Sequence, residues 1–236
     1  MLIIHPEDST TKFLERLYLP YLKTTKNTDN VLPNPMILND AWRSSGKIIE
    51  NRISRAEINK LICHEKSKEE FGSILLLGHG TAHGLLGIEW GMNVNRKGRP
   101  ILVVGEREVD ALRYRKSRAD YEKQHRDFEC SIIGIWCYAN EFALKYGLRG
   151  LYSGMIISEI DEALNFGFNV GRDLISETNQ AFCDRLSHLL NEYYLGMIDL
   201  GEIPDKMKSY IEEDGYKFGV GGYPIITYNY SNLYYY

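Results

Sequence analysis

Ile74-Leu75-Leu76-Leu77-Gly78-His79-Gly80 and Ile132-Ile133-Gly134-Ile135-Trp136-Cys137-Tyr138 are the two stretches on which the fold turns. Each opens as an unbroken apolar run, the pattern of a strand buried on both faces, and such strands belong to parallel sheets covered by helices. Each run also ends in a side chain with chemistry, an imidazole in the first and a thiol in the second. In an open α/β sheet, loops at the carboxyl ends of parallel strands form the crevice where ligands bind. Two neighbouring strands of this kind bring His79 and Cys137 to one sheet edge, although they lie far apart in sequence. A cysteine and a histidine are the minimum equipment for nucleophilic acyl transfer, the thiolate attacking and the imidazole handling protons.

Outward from these runs the chain alternates strand and helix patterns. Leu2-Ile3-Ile4 and Met36-Ile37-Leu38 read as short strands, and Asp8-Ser9-Thr10-Thr11 as a cap for a helix reaching about Leu22. The polar stretch from Lys23 to Pro35 reads as a loop, and Ser54 caps a helix from about Arg55 to Glu65. Ile101 to Val104 is a strand or the start of the next helix, with Pro100 and Gly105 favouring a strand. Helical spacing follows from Glu106 to Phe128, then a short helix from Glu141 to Tyr146 closed by Gly147, and a strand from Gly150 to Ile157. Ser158 is the expected cap of the next turn, with Asp161 three positions on. A long amphipathic helix runs from about Thr178 to Tyr194, and a weaker one from Ile203 to Glu213. The aromatic tail around Ile225-Ile226-Thr227 reads as a final strand pair. This alternation predicts one α/β domain spanning residues 1 to 236, with a mostly parallel central sheet and helices on both faces.

At 236 residues, 44% hydrophobic and 25% charged, the chain can bury a sizeable core. The net charge of −4 and the lack of a basic tract argue against nucleic acid as partner. Arg113, Arg115, Lys116 and Arg118 are interrupted by acids and read as a solvated helix face. The N-terminus lacks the basic region of a secretory signal, and no window is apolar enough to span a bilayer, so no membrane is expected. Cys63, Cys130, Cys137 and Cys183 show no close pairing, which suits reduced thiols and a cytoplasmic location.

The residues around the two strand ends fit acyl transfer. Gly80 permits close backbone approach. Its N–H and that of Cys137 are candidates to hold a developing oxyanion. A helix beginning just after Cys137 is expected to lower the thiol pKa. His83 is a rival imidazole, four positions after His79, but the glycines at Gly80 and Gly84 argue against the helix a zinc pair would need. Gly78-x-Gly80-x-x-x-Gly84 lacks the Gly-Lys-Ser/Thr ending of a phosphate loop. Neither metal nor cofactor is expected.

The strand ending in Leu77-Gly78-His79-Gly80, the following Gly84, and the later strand ending in Trp136-Cys137-Tyr138-Ala139 resemble the caspase-like cysteine peptidases. That group includes caspases, separase, gingipains, clostripain and the bacterial CHAT domains. CHAT domains are nearest in texture, through the short helix ending at Gly147, the strand after it, and the acidic turn Glu159-Ile160-Asp161-Glu162-Ala163. The resemblance is strongest over residues 70 to 195. It implies a caspase-like fold in which His79 is the catalytic histidine, Cys137 the nucleophile and Gly80 an oxyanion-hole donor. It also implies a protein or peptide substrate with a charged P1 residue, for which Glu159 and Asp161 are the substrate-binding candidates beside Glu162. A triggering partner or cleavage is a further implication. Ile135-Trp136-Cys137 departs from the caspase signature Gln-Ala-Cys by a bulky Trp136. The alternative is therefore an inactive module of the same fold used as a scaffold.

Overall fold

The computed structural model of the chain describes residues 1–6, 10–20, 36–37, 55–67, 72–87, 102–113 and 130–236. The expected loop from Lys23 to Pro35, the Ser54 cap and the charged stretch beyond Arg113 lie outside these residues. The strands are β1 (Leu2–Ile4), β2 (Met36–Ile37), β3 (Ser73–Leu77), β4 (Gly80–Thr81), β5 (Gly84–Leu86), β6 (Leu102–Gly105), β7 (Ser131–Ile135), β8 (Leu151–Ser153) and β9 (Leu233–Tyr235). The α-helices are α1 (Arg55–Ser67), α2 (Val109–Arg113), α3 (Ala139–Tyr146), α4 (Ile160–Asn165), α5 (Arg172–Tyr194), α6 (Ile203–Ser209) and α7 (Ile211–Ser231).

Among the described residues six strands form the central sheet in the order β2-β1-β3-β7-β8-β9. The first five run parallel, and β9 closes the edge antiparallel to β8. The two apolar runs are neighbours, in register from Ser73↔Ser131 to Leu77↔Ile135. A smaller antiparallel sheet, β4-β5-β6, follows directly from the end of β3.

The period of two in a strand sorts the core into two layers. Ile3, Leu75, Leu77, Ile133 and Ile135 face one side, packed with Phe182, Leu186 and Leu190 of α5 and with Ile226 and Tyr230 of α7. Leu2, Ile4, Ile74, Leu76 and Ile132 face the other, packed with Ile58 and Ile62 of α1 and Phe142 of α3. Both faces of the sheet are thus covered, which is why the strands read as continuous apolar runs. By the same parity His79 and Cys137 continue the row of Leu75, Leu77, Ile133 and Ile135. The mixed α/β architecture with a mostly parallel sheet is the one the sequence predicts.

Several local expectations are corrected. The tail around Ile225-Ile226-Thr227 is helical, within α7, and only Leu233–Tyr235 forms a strand. Its apolar residues bury against α5, and that packing overrides the β preference of Ile, Thr and Tyr. The expected helix from Ile203 to Glu213 divides at Tyr210 into α6 and the start of α7. Helix α7 is itself broken at Gly219, whose φ of 65° is open to glycine at no steric cost. The strand expected from Gly150 to Ile157 shortens to β8, and Gly154 to Glu159 continue without a ladder. The helix expected to reach Leu22 begins as a 3-10 turn over Lys12–Leu17.

Candidate active site

β3 delivers His79 through Gly78, whose amide donates to the Ile135 carbonyl of β7 at 3.2 Å. The His79 carbonyl accepts from the Leu86 amide at 2.8 Å, so the small sheet holds the far side of this residue. Its ring is largely buried, with 15% of the side chain exposed. Nε2 shares a hydrogen bond of 2.6 Å with the Thr10 hydroxyl and lies 3.8 Å from Glu159 Oε1.

Ser153 of β8 fixes the end of β7. Its fully buried hydroxyl donates to the Trp136 carbonyl at 2.8 Å and accepts from the Trp136 amide at 3.0 Å. Cys137 follows, and then Tyr138, whose φ of 67° makes it the one non-glycine residue with positive φ among those described. A bulky side chain in that region marks local backbone strain. The turn passes at once into α3, with the Tyr138 amide donating to the Gly154 carbonyl at 3.2 Å.

The two residues reach one cavity. His79 and Cys137 line one small cavity together with Thr11, Leu14, Ile156 and Ser158. The Cys137 thiol faces the Ile156 carbonyl at 3.8 Å and Glu162 Oε1 at 4.0 Å. Burial, reinforced by the charge of Glu162, pushes the thiol up to about 12. The expectation that the start of α3 would lower it is overturned, because desolvation of the thiolate and a nearby carboxylate both disfavour the charged form. Desolvation also raises the Glu162 carboxyl, against the opposing pull of its hydrogen bonds to Ser158 and Glu159.

The acidic turn after β8 supplies both neighbours of the pair. Glu159 is the N-cap of α4, and the side chain of Glu162, its third residue, accepts from the Glu159 amide at 3.0 Å. Ser158 is therefore not the cap; its amide and hydroxyl both donate to Glu162 Oε2, at 2.7 and 3.0 Å. Two asparagines from other elements anchor this turn. Asn229 of α7 pairs with the Ile157 amide and carbonyl at 2.9 and 3.0 Å, and Asn179 of α5 donates to the Ser158 carbonyl at 3.1 Å. Asp161 is exposed and lines, with Thr10, Ser158 and Glu159, a groove of about 780 Å³ beside His79.

Trp136 points away from the thiol. Its indole belongs to the opposite core layer, edge-on to Phe142 at 5.8 Å, and its Nε1 donates to the Thr81 carbonyl at 3.2 Å. A Cβ on Gly80 would stand 1.9 Å from Trp136 Cδ1. Gly80 is thus required by the bulky tryptophan itself. His83 sits exposed at the turn between β4 and β5, apart from the cavity.

Sequence reasoning missed Thr10, Ser153, Asn179 and Asn229. Thr10 alone carried a usable signal, since it follows a strand running parallel to β3 and so belongs at the same sheet edge. The others come from elements whose path over the sheet is a tertiary fact. Among the described residues no helix is long and apolar enough to cross a membrane. No protein-family model matches the chain, and neither a curated protein nor a solved structure matches it.

Proposed function

We propose that the protein is a caspase-like cysteine endopeptidase acting through Cys137 and His79. The observation that carries the reading is the shared cavity at the carboxyl ends of two adjacent parallel strands, with both side chains on one face of the sheet. His79 takes the proton of the Cys137 thiol as the sulfur forms a bond to the peptide carbonyl carbon. The amides of Gly80 and Cys137 hold the resulting oxyanion. Collapse breaks the C–N bond, the leaving amine takes its proton from His79, and a thioester remains. Water, deprotonated by His79, hydrolyses the thioester and restores the thiol. No metal or cofactor takes part in this scheme.

The groove along Thr10, Glu159 and Asp161 would receive the substrate, with Asp161 facing a basic P1 side chain and Glu159 already turned to His79. The raised thiol suits a resting form, activated when a partner or cleavage event rearranges the acidic turn. Full activity of the intact chain on peptides would remove that regulatory element.

The test is labelling by peptide chloromethylketones with Arg, Lys, Asp or Leu at P1. Covalent capture of Cys137 by the Arg and Lys reagents, lost in Cys137→Ala and His79→Ala, is the expected result. Labelling that survives Cys137→Ala, or none with any reagent after limited proteolysis, would overturn it. The second reading, an inactive scaffold of the same architecture, is favoured by one observation, the thiol enclosed between the Ile156 carbonyl and the Glu162 carboxyl, surroundings that disfavour the thiolate. Absence of labelling together with a fully folded chain would select it.

A further inference from the structure

We propose that Thr10 and Glu159 are positioning residues for His79, holding its ring through Nε2, the nitrogen that carries the proton of the neutral ring. This rests on the dyad reading above and adds a third and fourth side chain to it.

Two described side chains converge on one ring nitrogen. Thr10 Oγ1 lies 2.6 Å from Nε2 and Glu159 Oε1 lies 3.8 Å from the same atom. An imidazole whose Nε2 is turned to a hydroxyl and a carboxylate gains by carrying its proton there in the neutral form. When the ring takes up the thiol proton, the imidazolium gains from the nearby Glu159 charge. The arrangement has the logic of an acid that orients a histidine and stabilises its charged form without taking the proton.

Both groups are themselves held. Thr10 stands before the 3-10 turn Lys12–Leu17, whose Leu14 and Leu17 are buried in the core layer beneath the site. The Glu159 amide donates to Glu162 Oε2 at 3.0 Å, and the Asn179 bond to Ser158 secures the backbone just before it. The ring is therefore clamped from the loop after β1 on one side and the turn after β8 on the other. Among the described residues the titratable groups facing it include Glu159 at Nε2 and, across the small cavity, Cys137 with Glu162 behind it.

The test is histidine-selective NMR on the full chain, with the His79 signal assigned by His79→Gln. The readouts are the tautomer of the neutral ring and its titration midpoint, neither of which needs turnover. In the wild type the neutral ring carries its proton on Nε2. Glu159→Gln lowers the midpoint by about 0.5–1 pH unit, as loss of a nearby opposite charge requires. Thr10→Val mixes the two tautomers, and Thr10→Ser restores the wild-type one. Unchanged tautomer and midpoint in folded Glu159→Gln and Thr10→Val overturn the positioning, whatever the peptide reagents do. A shifted His79 titration with no Cys137 labelling supports the orienting pair and overturns the peptidase reading instead.

Discussion

Glu162 divides its carboxylate between a helix cap and a thiol. Oε2 accepts from the Ser158 and Glu159 amides at 2.7 and 3.0 Å, and Oε1 lies 4.0 Å from Cys137 Sγ. The charge that stabilises the start of α4 therefore opposes ionisation of the cysteine. Glu162→Gln keeps an acceptor for the cap and removes the charge. Desolvation, the larger cause, persists, so the thiol pKa falls from about 12 but stays above its ordinary value. More thiolate at a given pH means faster alkylation, and iodoacetamide rates measured against pH will show the profile displaced to lower pH.

Gly80 and Trp136 form a second coupled pair. A methyl on Gly80 has no room beside the indole, so Gly80→Ala will destabilise the protein by about 1–3 kcal/mol, the usual cost of overpacking. In the Trp136→Leu background the same change will cost less, because the colliding ring is gone. Urea unfolding of the four proteins measures this coupling.

Ser153 satisfies both backbone groups of Trp136, the residue before the thiol. Ser153→Ala leaves a buried amide and carbonyl without that partner, a loss of about 1–3 kcal/mol. Ser153→Thr, which keeps the hydroxyl, will fall nearer to wild type. Thermal unfolding separates the two variants.

Arg185 of α5 ties α7 down through Asp214. Its Nε and a terminal nitrogen donate to the two carboxylate oxygens at 2.9 Å each, and Tyr230 donates to Oδ2 at 2.7 Å. Desolvation alone would raise Asp214, but these hydrogen bonds and the Arg185 charge outweigh it and hold the carboxyl below its ordinary value. A depressed carboxyl contributes stability that is complete above the unfolded pKa, about 4, and is lost as pH falls through the native value. Asp214→Asn will therefore flatten the loss of stability on acidification. Arg185→Met will cost about 1–3 kcal/mol at neutral pH by stranding the carboxylate. Denaturant titrations from pH 2 to 7 distinguish these outcomes.

The strands β3 and β7 were legible because burial on both faces leaves no polar alternation, and that pattern survives in the bare order of residues. Their parallel sense followed from the alternation with helices, while their adjacency, which places His79 and Cys137 at one edge, is shown by the register from Ser73↔Ser131 to Leu77↔Ile135. The tail was misread for the opposite reason. Ile225, Ile226 and the tyrosines suit a strand taken alone, but Ile226 and Tyr230 bury against α5 as one face of a helix. The cap of α4 was misplaced by one residue. Ser158 is the better intrinsic N-cap, yet in the folded chain its hydroxyl serves Glu162, and Glu159 takes the cap position.

By itself the sequence determined which segments are buried, that they build a parallel layered sheet, and which thiol and imidazole stand at its edge, since these follow from local apolar pattern. Only the tertiary structure decided the state of that pair. The protonation of Cys137 depends on desolvation and on Glu162 across a turn, and the facing of His79 on Thr10 from another strand's loop. Electrostatic energies are set by distance and burial in space, and neither is written in the spacing of residues along the chain.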